Sequence, residues 1–391
     1  MTDLHNEWRS STWGNEISLE YGKSLRDYSK EAGRYRVFGS NGPIGWHAEK
    51  LTDGPGIVLG RKGAYRGVRF SIDPFFVIDT AYYVRPKSAL DMRWLYYAII
   101  HHKLGEIDDG SPIPSTTRAA VYVRPVEIPD ISEQQAISAI LGSLDDRIEL
   151  LKKTNETLEA MARTIFKSWF VDFDPVRAKT EGREPEGMDA ATAALFPSEF
   201  QDTELGPIPL GWNVGRLDDL FVLQRGFDLP NSQRVDGEFP VIAASGPSGT
   251  HSEFKVKGPG VVTGRSGVLG NVFYVHDDFW PLNTSLWVKE FRSASPLYSY
   301  RVLQRMDLKI FNAGSAVPTL NRNHVHGLPT LLPPRGVLVC FDGLVFPIHQ
   351  RMRMTESQIL MLQDLRDTLL PRLISGKLRV PEAEAMLAEA L

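Results

Sequence analysis

GPGIVLGRKG at residues 54–63 returns as GPGVVTGRSG at residues 258–267, an offset of 204 positions. The same offset aligns, without a gap, Trp8 with Trp212, Gly22 with Gly226, Gly42-Pro43 with Gly246-Pro247, and His47 with His251. It goes on to align Thr80 with Thr284, Gly110 with Gly314, Pro114 with Pro318, Arg118 with Arg322, and Pro129 with Pro333. Chance does not hold register over such a span, so the chain is one unit used twice.

Each copy opens with short, Gly/Pro-punctuated β-rich runs such as GIVLG, RFSI and FFVIDTAYYV. These predict strands separated by turns. One amphipathic helix is predicted near residues 91–104, where Met92, Leu95, Tyr96, Ile99 and Ile100 share a face. Each head is therefore α+β, and a second periodicity follows it. From Ile137 the apolar positions run Ile137, Leu141, Leu144, Ile148, Leu151, Leu158, Ile165 and Trp169, with Asn155 and Ala162 in the remaining seam positions. Adding 204 gives Phe341, Val345, Ile348, Met352, Thr355, Ile359, Leu362, Arg366, Leu369 and Leu373. Spacings of four and three make a heptad seam, and two matched seams favour two long helices pairing with each other over each packing on its own head alone. Asn155 in the seam reads as a polar residue that sets register. Pro347 conflicts with an uninterrupted second helix, which is expected to start near Ile348 or to bend there.

The division expected is head one at 1–130, a first helix at 131–172, a linker at 173–205, head two at 206–338, a second helix at 339–378 and a tail at 379–391. The linker is rich in Pro, Gly and acid. A helix pair from a duplicated chain has pseudo-two-fold symmetry, which suits two half-sites on duplex DNA. A helix of about 35 residues spans roughly 50 Å, or on the order of fifteen base pairs.

The 391 residues, 42% of them hydrophobic, suffice for two globular domains. The net charge of -4 divides as +1 over residues 1–130, -7 over 131–205, +3 over 206–340 and -1 over 341–391. Acid is thus concentrated in the helical and linker stretch, and whole-chain charge does not exclude DNA as a partner of the heads. No apolar stretch approaches the length of a membrane helix, and the first residues, MTDLHNEWRSSTWGNE, have no apolar run; the expectation is a cytoplasmic protein without a membrane partner. The lone Cys340 rules out an internal disulfide, and the histidines lack zinc-ligand spacing.

Catalytic signatures are missing. Gly22-Lys23-Ser24 ends like a P-loop, but Ile17 stands where the first glycine belongs and the repeat partner is Gly226-Phe227-Asp228, so a turn is expected. The dinucleotide-binding, zinc-protease, nucleophile-elbow and amino-methyltransferase strings are absent from the sequence. The acid pairs Asp108-Asp109 and Asp145-Asp146 read as solvated carboxylates. His324-x-His326, on an expected strand, has Ala120 and Tyr122 as repeat partners, which argues against a metal.

Polar loops remain. In GRKGAYRG and GRSGVLGN, glycines allow close backbone approach and Arg61 and Arg265 offer planar donors for phosphate or guanine. The alternative, a tight turn with a solvated arginine, is disfavoured because the arginine recurs, as it does at Arg118 and Arg322. Residues common to both heads are expected to hold phosphates: Arg61, Gly63, Arg118, Arg265, Gly267 and Arg322. Residues that differ are expected to read bases: Lys62, Tyr65, Arg66, Thr116 and Thr117 in head one, and Ser266, Asn321, Asn323 and His324 in head two.

The GPGIVLGRKG-type loop, the SPIPST segment, EQQAISAILGSLDDRIELLKKTNETLEAMARTIFKSWFVDFDPV, ELGPIPLGW and LRDTLLPRLISGKL together resemble the specificity subunit of type I restriction-modification systems. The likeness covers nearly the whole chain. It implies two target recognition domains separated by an antiparallel pair of long coiled-coil helices, with no catalytic centre and no cofactor on this chain. It further implies double-stranded DNA as ligand, read as a bipartite asymmetric site. Two modification (methyltransferase) subunits would carry S-adenosylmethionine and methylate adenine, and two restriction (translocase/nuclease) subunits would use ATP and Mg. The alternatives are the specificity component of a related methyltransferase or phage-exclusion system without a nuclease, a free-standing DNA-binding protein, and a helical scaffold with no DNA role.

Overall fold

The computed structural model describes residues 8–26, 28, 33–63, 65–108, 110, 112–313 and 316–390. Asp109, Ser111, Gly314 and residues 1–7, singled out above, lie outside these. The chain divides into two compact units, Met1–Lys152 with Glu356–Leu391, and Lys153–Thr355. The division falls inside both long helices.

In the first unit, a four-stranded antiparallel sheet runs in the order Ile17–Tyr21, Ala81–Pro86, Gly56–Gly60, Val68–Ser71. A three-stranded sheet places Tyr35–Gly39 between Gly42–His47 and a parallel Phe75–Val77. The unbroken apolar run of Gly56–Gly60 is buried throughout, because alternate side chains of a strand point to opposite faces and both faces are covered here. Ile57 and Leu59 join the main core, and Val58 joins the smaller one with Phe38, Phe75 and Val77. The second unit repeats both sheets, in the order Phe221–Arg225, Ser285–Phe291, Gly260–Gly264, Val272–Val275, and Gly246–His251, Phe239–Ala243, Trp280–Pro281. The offset survives in the register: Leu59 opposes Tyr82 and Val68, and Thr263 opposes Leu286 and Val272.

The head-one helix spans Met92–His101, capped by the Asp91 carboxylate, which accepts from the amides of Arg93 (3.0 Å) and Trp94 (2.8 Å). Leu95 and Ile99 are buried, Met92, Tyr96 and Ile100 pack partly buried, and Trp94, Tyr97 and Ala98 widen the buried face beyond the stripe expected. Its counterpart, Pro296–Arg305, is capped by Ser295.

The long helices are Ile131–Phe170 and Arg335–Ile374, 40 residues each and 204 positions apart. The second begins well before Pro347 and runs through it, in correction of the expected start near Ile348. Proline cannot bond the carbonyl four residues back, but both Pro347 and Gly343 are exposed, so water reaches that oxygen. In the first unit Leu141, Leu144, Ile148 and Leu151 share a core with Leu362, Leu369 and Leu373, and Ile359 packs against it. In the second, Ala162, Phe166, Trp169 and Phe170 meet Phe341 and Val345, with Ile165 and Ile348 at the margin. Asn155 lies opposite Met352, its Nδ2 donating to the Met352 carbonyl at 3.2 Å, while Phe170 lies 5.2 Å from Phe341. Rising numbers on one helix meet falling numbers on the other, so the pair is antiparallel. Leu158 is half-buried.

Residues 173–205, expected as a linker, carry helices at Asp174–Thr180 and Ala190–Ala194 and a strand, Phe200–Thr203, paired with Gly206–Pro209. Phe173, Val176 and Phe196 anchor this segment in the second unit's core, which an unstructured linker would not do. The tail forms a helix, Val380–Ala390, with Ala383 buried in the first unit's core.

Asp145 and Asp146 are not simply solvated. In the first unit Tyr97 donates to Asp145 (2.7 Å), Arg366 pairs with Asp145 (2.7 Å), and Arg93 donates to both oxygens of Asp146 (2.6 and 2.9 Å). In the second unit the offset partners of Tyr97 and Asp145 are Arg301 and His349. Arg301 donates to Glu159 (2.8 Å) and to His349 Nε2 (3.1 Å), with its side chain 1% exposed. The head helix is thus tied to the long helices by one polar cluster in each unit, of different chemistry.

Removing one member of a buried ion pair strands the other charge, at about 3–5 kcal/mol. Arg301→Met is therefore expected to lower stability by that order in urea unfolding, and Arg301→Met with Glu159→Leu to recover most of it; equal losses in both variants would contradict a stranded Glu159. Burial, with the Arg301 cation beside it, holds the His349 imidazole down at about 4, against an ordinary 6.5. The unfolded chain therefore takes up this proton first, and the stabilisation, full above about pH 6.5, is lost as pH falls toward 4, by about 3 kcal/mol. Between pH 7 and 5 the urea midpoint should fall more steeply in the native chain than in His349→Gln; parallel curves would contradict this.

Candidate nucleic-acid interface

The two polar loops of each head are hydrogen-bonded into one corner. In head one the amides of Arg61 and Lys62 donate to the Thr80 carbonyl (3.0 and 3.3 Å), Gly63 donates to Pro114 (3.0 Å), and Thr116 donates to Arg61 (2.9 Å). In head two Arg265 and Ser266 donate to Thr284 (2.8 and 3.0 Å), Gly267 to Pro318 (2.9 Å), and Leu320 to Arg265 (2.8 Å). Every pair keeps the offset of 204. Gly63 (φ +106°) and Gly267 (φ +90°) occupy backbone conformations that disfavour any side chain. Among the described residues beyond the glycine and its chain neighbours, no heavy atom lies within 4 Å of where a Cβ would stand on either, so backbone conformation, not crowding, favours glycine.

Two of the common arginines, Arg61 and Arg265, share one support. Arg61 Nη1 donates to the Asp79 carbonyl (3.1 Å), and Arg265 Nε to the carbonyl of its offset partner, Asn283 (3.0 Å). Arg118 opens a short helix, Arg118–Tyr122, as Arg322 opens Arg322–His326. Arg322 Nη1 donates to the Leu223 carbonyl (3.3 Å). In head one the Arg61 and Arg118 guanidinium carbons stand 4.7 and 4.2 Å from the centre of the Tyr21 ring, and Arg118 lies 3.9 Å from the Glu20 carboxylate. Burial pushes the neighbouring Tyr82 hydroxyl up to about 12, so it stays protonated and donates to the Thr116 carbonyl (3.2 Å).

The residues expected to read bases separate into three groups. Arg66 is a brace: Nε donates to Gly105 (3.1 Å), Nη1 to Gly63 (2.9 Å) and Nη2 to Ile107 (3.2 Å). Thr116 is fully buried, with its hydroxyl on the Ile107 carbonyl (3.1 Å). The Thr116 side chain is not presented to a ligand, in correction of the expectation, whereas Arg66 is half-buried. Thr117 and Asn321 cap the short helices, accepting from Ala120 (3.3 Å) and Asn323 (3.0 Å). Lys62, Asn323 and His324 are exposed, Tyr65 is 79% exposed, and Ser266 is half-buried.

His324 and His326 lie on a helix, not the strand expected, because Asn321 caps it. His326 Nε2 accepts from the Leu223 amide (2.9 Å), and in head one the Tyr122 hydroxyl accepts from the Leu19 amide (2.8 Å), the same pair at the offset. Two dissimilar side chains serve one backbone donor. Burial lowers the His326 pKa, in keeping with a neutral acceptor nitrogen. Among the described residues no group of three or more His, Cys, Asp or Glu is placed to hold a metal, and no helix is long and apolar enough to cross a membrane. Gly22 and Gly226 follow the strands Ile17–Tyr21 and Phe221–Arg225, where a Cβ would collide with the carbonyls of Ile78 and Leu282. Sequence reading missed Tyr21 and its partner Arg225, although the offset identifies both.

A family model, the type I restriction modification DNA specificity domain, matches residues 23–160 and again 209–335. The chain is 27% identical over 325 residues to the MjaIX specificity subunit, a type I restriction enzyme component of Methanocaldococcus jannaschii, covering 76% of this chain and 71% of the relative. It is 23% identical over 385 residues to the HindI specificity subunit of Haemophilus influenzae, covering 81% and 84%. The fold is similar to the crystal structure of the type I restriction-modification S subunit from M. genitalium, with a TM-score of 0.64 at 18% identity over 95% of this chain and 98% of that one. With the family model matched over both heads, the chain belongs to the type I restriction-modification DNA specificity family.

Proposed function

We propose that the chain reads a bipartite, asymmetric site on double-stranded DNA, one half by each head, for modification and restriction subunits that carry the chemistry. Sequence-specific DNA recognition without catalysis is the work of the family to which it belongs. The observation that supports the finer reading is the pair of loop corners with one hydrogen-bonding frame and different exposed side chains. A shared frame suits what every duplex shares, the phosphates, and falls to Arg61, Arg118, Arg265 and Arg322. Differing side chains suit differing bases: Lys62 and Tyr65 in head one, Asn323 and His324 in head two. Arg66 and Thr116 serve these loops from within. S-adenosylmethionine, ATP and Mg belong, on this proposal, to two modification and two restriction subunits.

Methylome sequencing of a host that expresses this chain with its modification partner should return a motif of two fixed halves around an unspecified interval; a short continuous motif would sink the proposal. In binding assays with the same complex, Arg61→Ala should weaken all duplexes alike. Asn323→Ala should relax one half-site, by about 1–3 kcal/mol against the wrong base. A loss for Asn323→Ala that is uniform over all sequences would remove it from base reading.

A further inference from the structure

The loop corners also differ at a position outside the polar loops. Tyr21 and Arg225 are offset partners at the ends of equivalent strands, opposite Tyr82 and Leu286 in the same register. In head one two guanidiniums lie on the Tyr21 ring, and one of them, Arg118, also faces Glu20. A guanidinium on an aromatic face keeps its donors directed outward in its own plane. In head two the ring is gone and so is the carboxylate, since the partner of Glu20 is Gln224. Arg225, with its side chain 52% exposed, stands in their place, 3.3 Å from Asp228. Asp228 is bonded by the Asn283 side chain, and the Asn283 carbonyl accepts from Arg265, so Arg225 and Arg265 belong to one network. Arg322 bonds the carbonyl of Leu223, two residues before Arg225. Around this position head one thus has Arg61, Arg118 and Glu20, and head two has Arg225, Arg265, Arg322 and Asp228; the loop brace Arg66 of head one has Gly270 as its offset partner.

We infer that positions 21 and 225 set an unequal grip of the two heads on the DNA backbone, Tyr21 holding two arginines in a stack and Arg225 adding a phosphate contact that head one lacks. The inference rests on the reading of these corners as phosphate sites. Each phosphate neutralised on B-DNA adds about 0.9 to the slope of log affinity against log salt.

The test is that slope, measured over a KCl series for the complex of this chain with its modification partner on cognate and unrelated duplexes. Arg225→Tyr is expected to lower the slope by about one and to weaken both duplexes equally, and Tyr21→Arg to raise it by about one. Arg225→Gln, at an exposed position, gives a second reading that does not depend on fitting a ring. Unchanged slopes in all three variants, with a lowered slope in Arg265→Ala, would overturn the inference and leave the corners as phosphate sites. Unchanged slopes in Arg265→Ala and Arg61→Ala as well would overturn that reading, and the inference with it.

Discussion

The amide of Gly63 bonding the carbonyl of Pro114, repeated by Gly267 and Pro318, ties together two loops about fifty residues apart in each copy. A buried or bonded backbone group must find its partner within the fold, and here the partner lies on the other loop, so neither loop has its shape alone. Arg66 adds three further bonds to carbonyls of this corner in head one. The backbone is thereby fixed before any side chain is chosen, which leaves exposed positions such as 62, 65, 323 and 324 open to differ.

The same division between constant frame and variable contact appears where each head meets the long helices. The apolar seam is common to both copies, whereas the polar cluster is Tyr97, Asp145 and Arg366 in one unit and Arg301, Glu159 and His349 in the other. Apolar packing is non-directional and tolerates drift in sequence. Buried charges need matched partners, so a change at Tyr97 or Arg301 requires a change in what it faces. Duplicated copies that diverge at one member of such a cluster must diverge at the others.

Much of the fold was legible in the sequence, since an offset of 204 and periodicities of two and three and a half leave direct traces. The buried strand Gly56–Gly60 and the paired helices follow from them. Pro347 misled because a local rule about proline ignores whether the freed carbonyl faces water. Residues 173–205 misled because Pro, Gly and acid mark turns but do not tell whether Phe173 and Phe196 between them reach a core. At the candidate site, the glycines and common arginines were legible as a pattern. The side chains that serve the backbone were not: Arg66 and Thr116 have the chemistry of base readers, and only tertiary placement sets Arg66 on three backbone carbonyls and buries Thr116. Tyr122 and His326 share no chemical class beyond an acceptor atom, so their common role became visible only through the amides of Leu19 and Leu223.

The central claim is that one frame, used twice, holds a common set of phosphates through Arg61 and Arg118 in one head and Arg265 and Arg322 in the other, while different side chains read the bases. Ethylation interference on both strands of the cognate duplex, with the chain in complex with its modification partner, tests it most directly. The account predicts two groups of interfering phosphates, one in each half-site, with the same spacing relative to the bases that are read. A single group, or two groups of unrelated spacing, would contradict it.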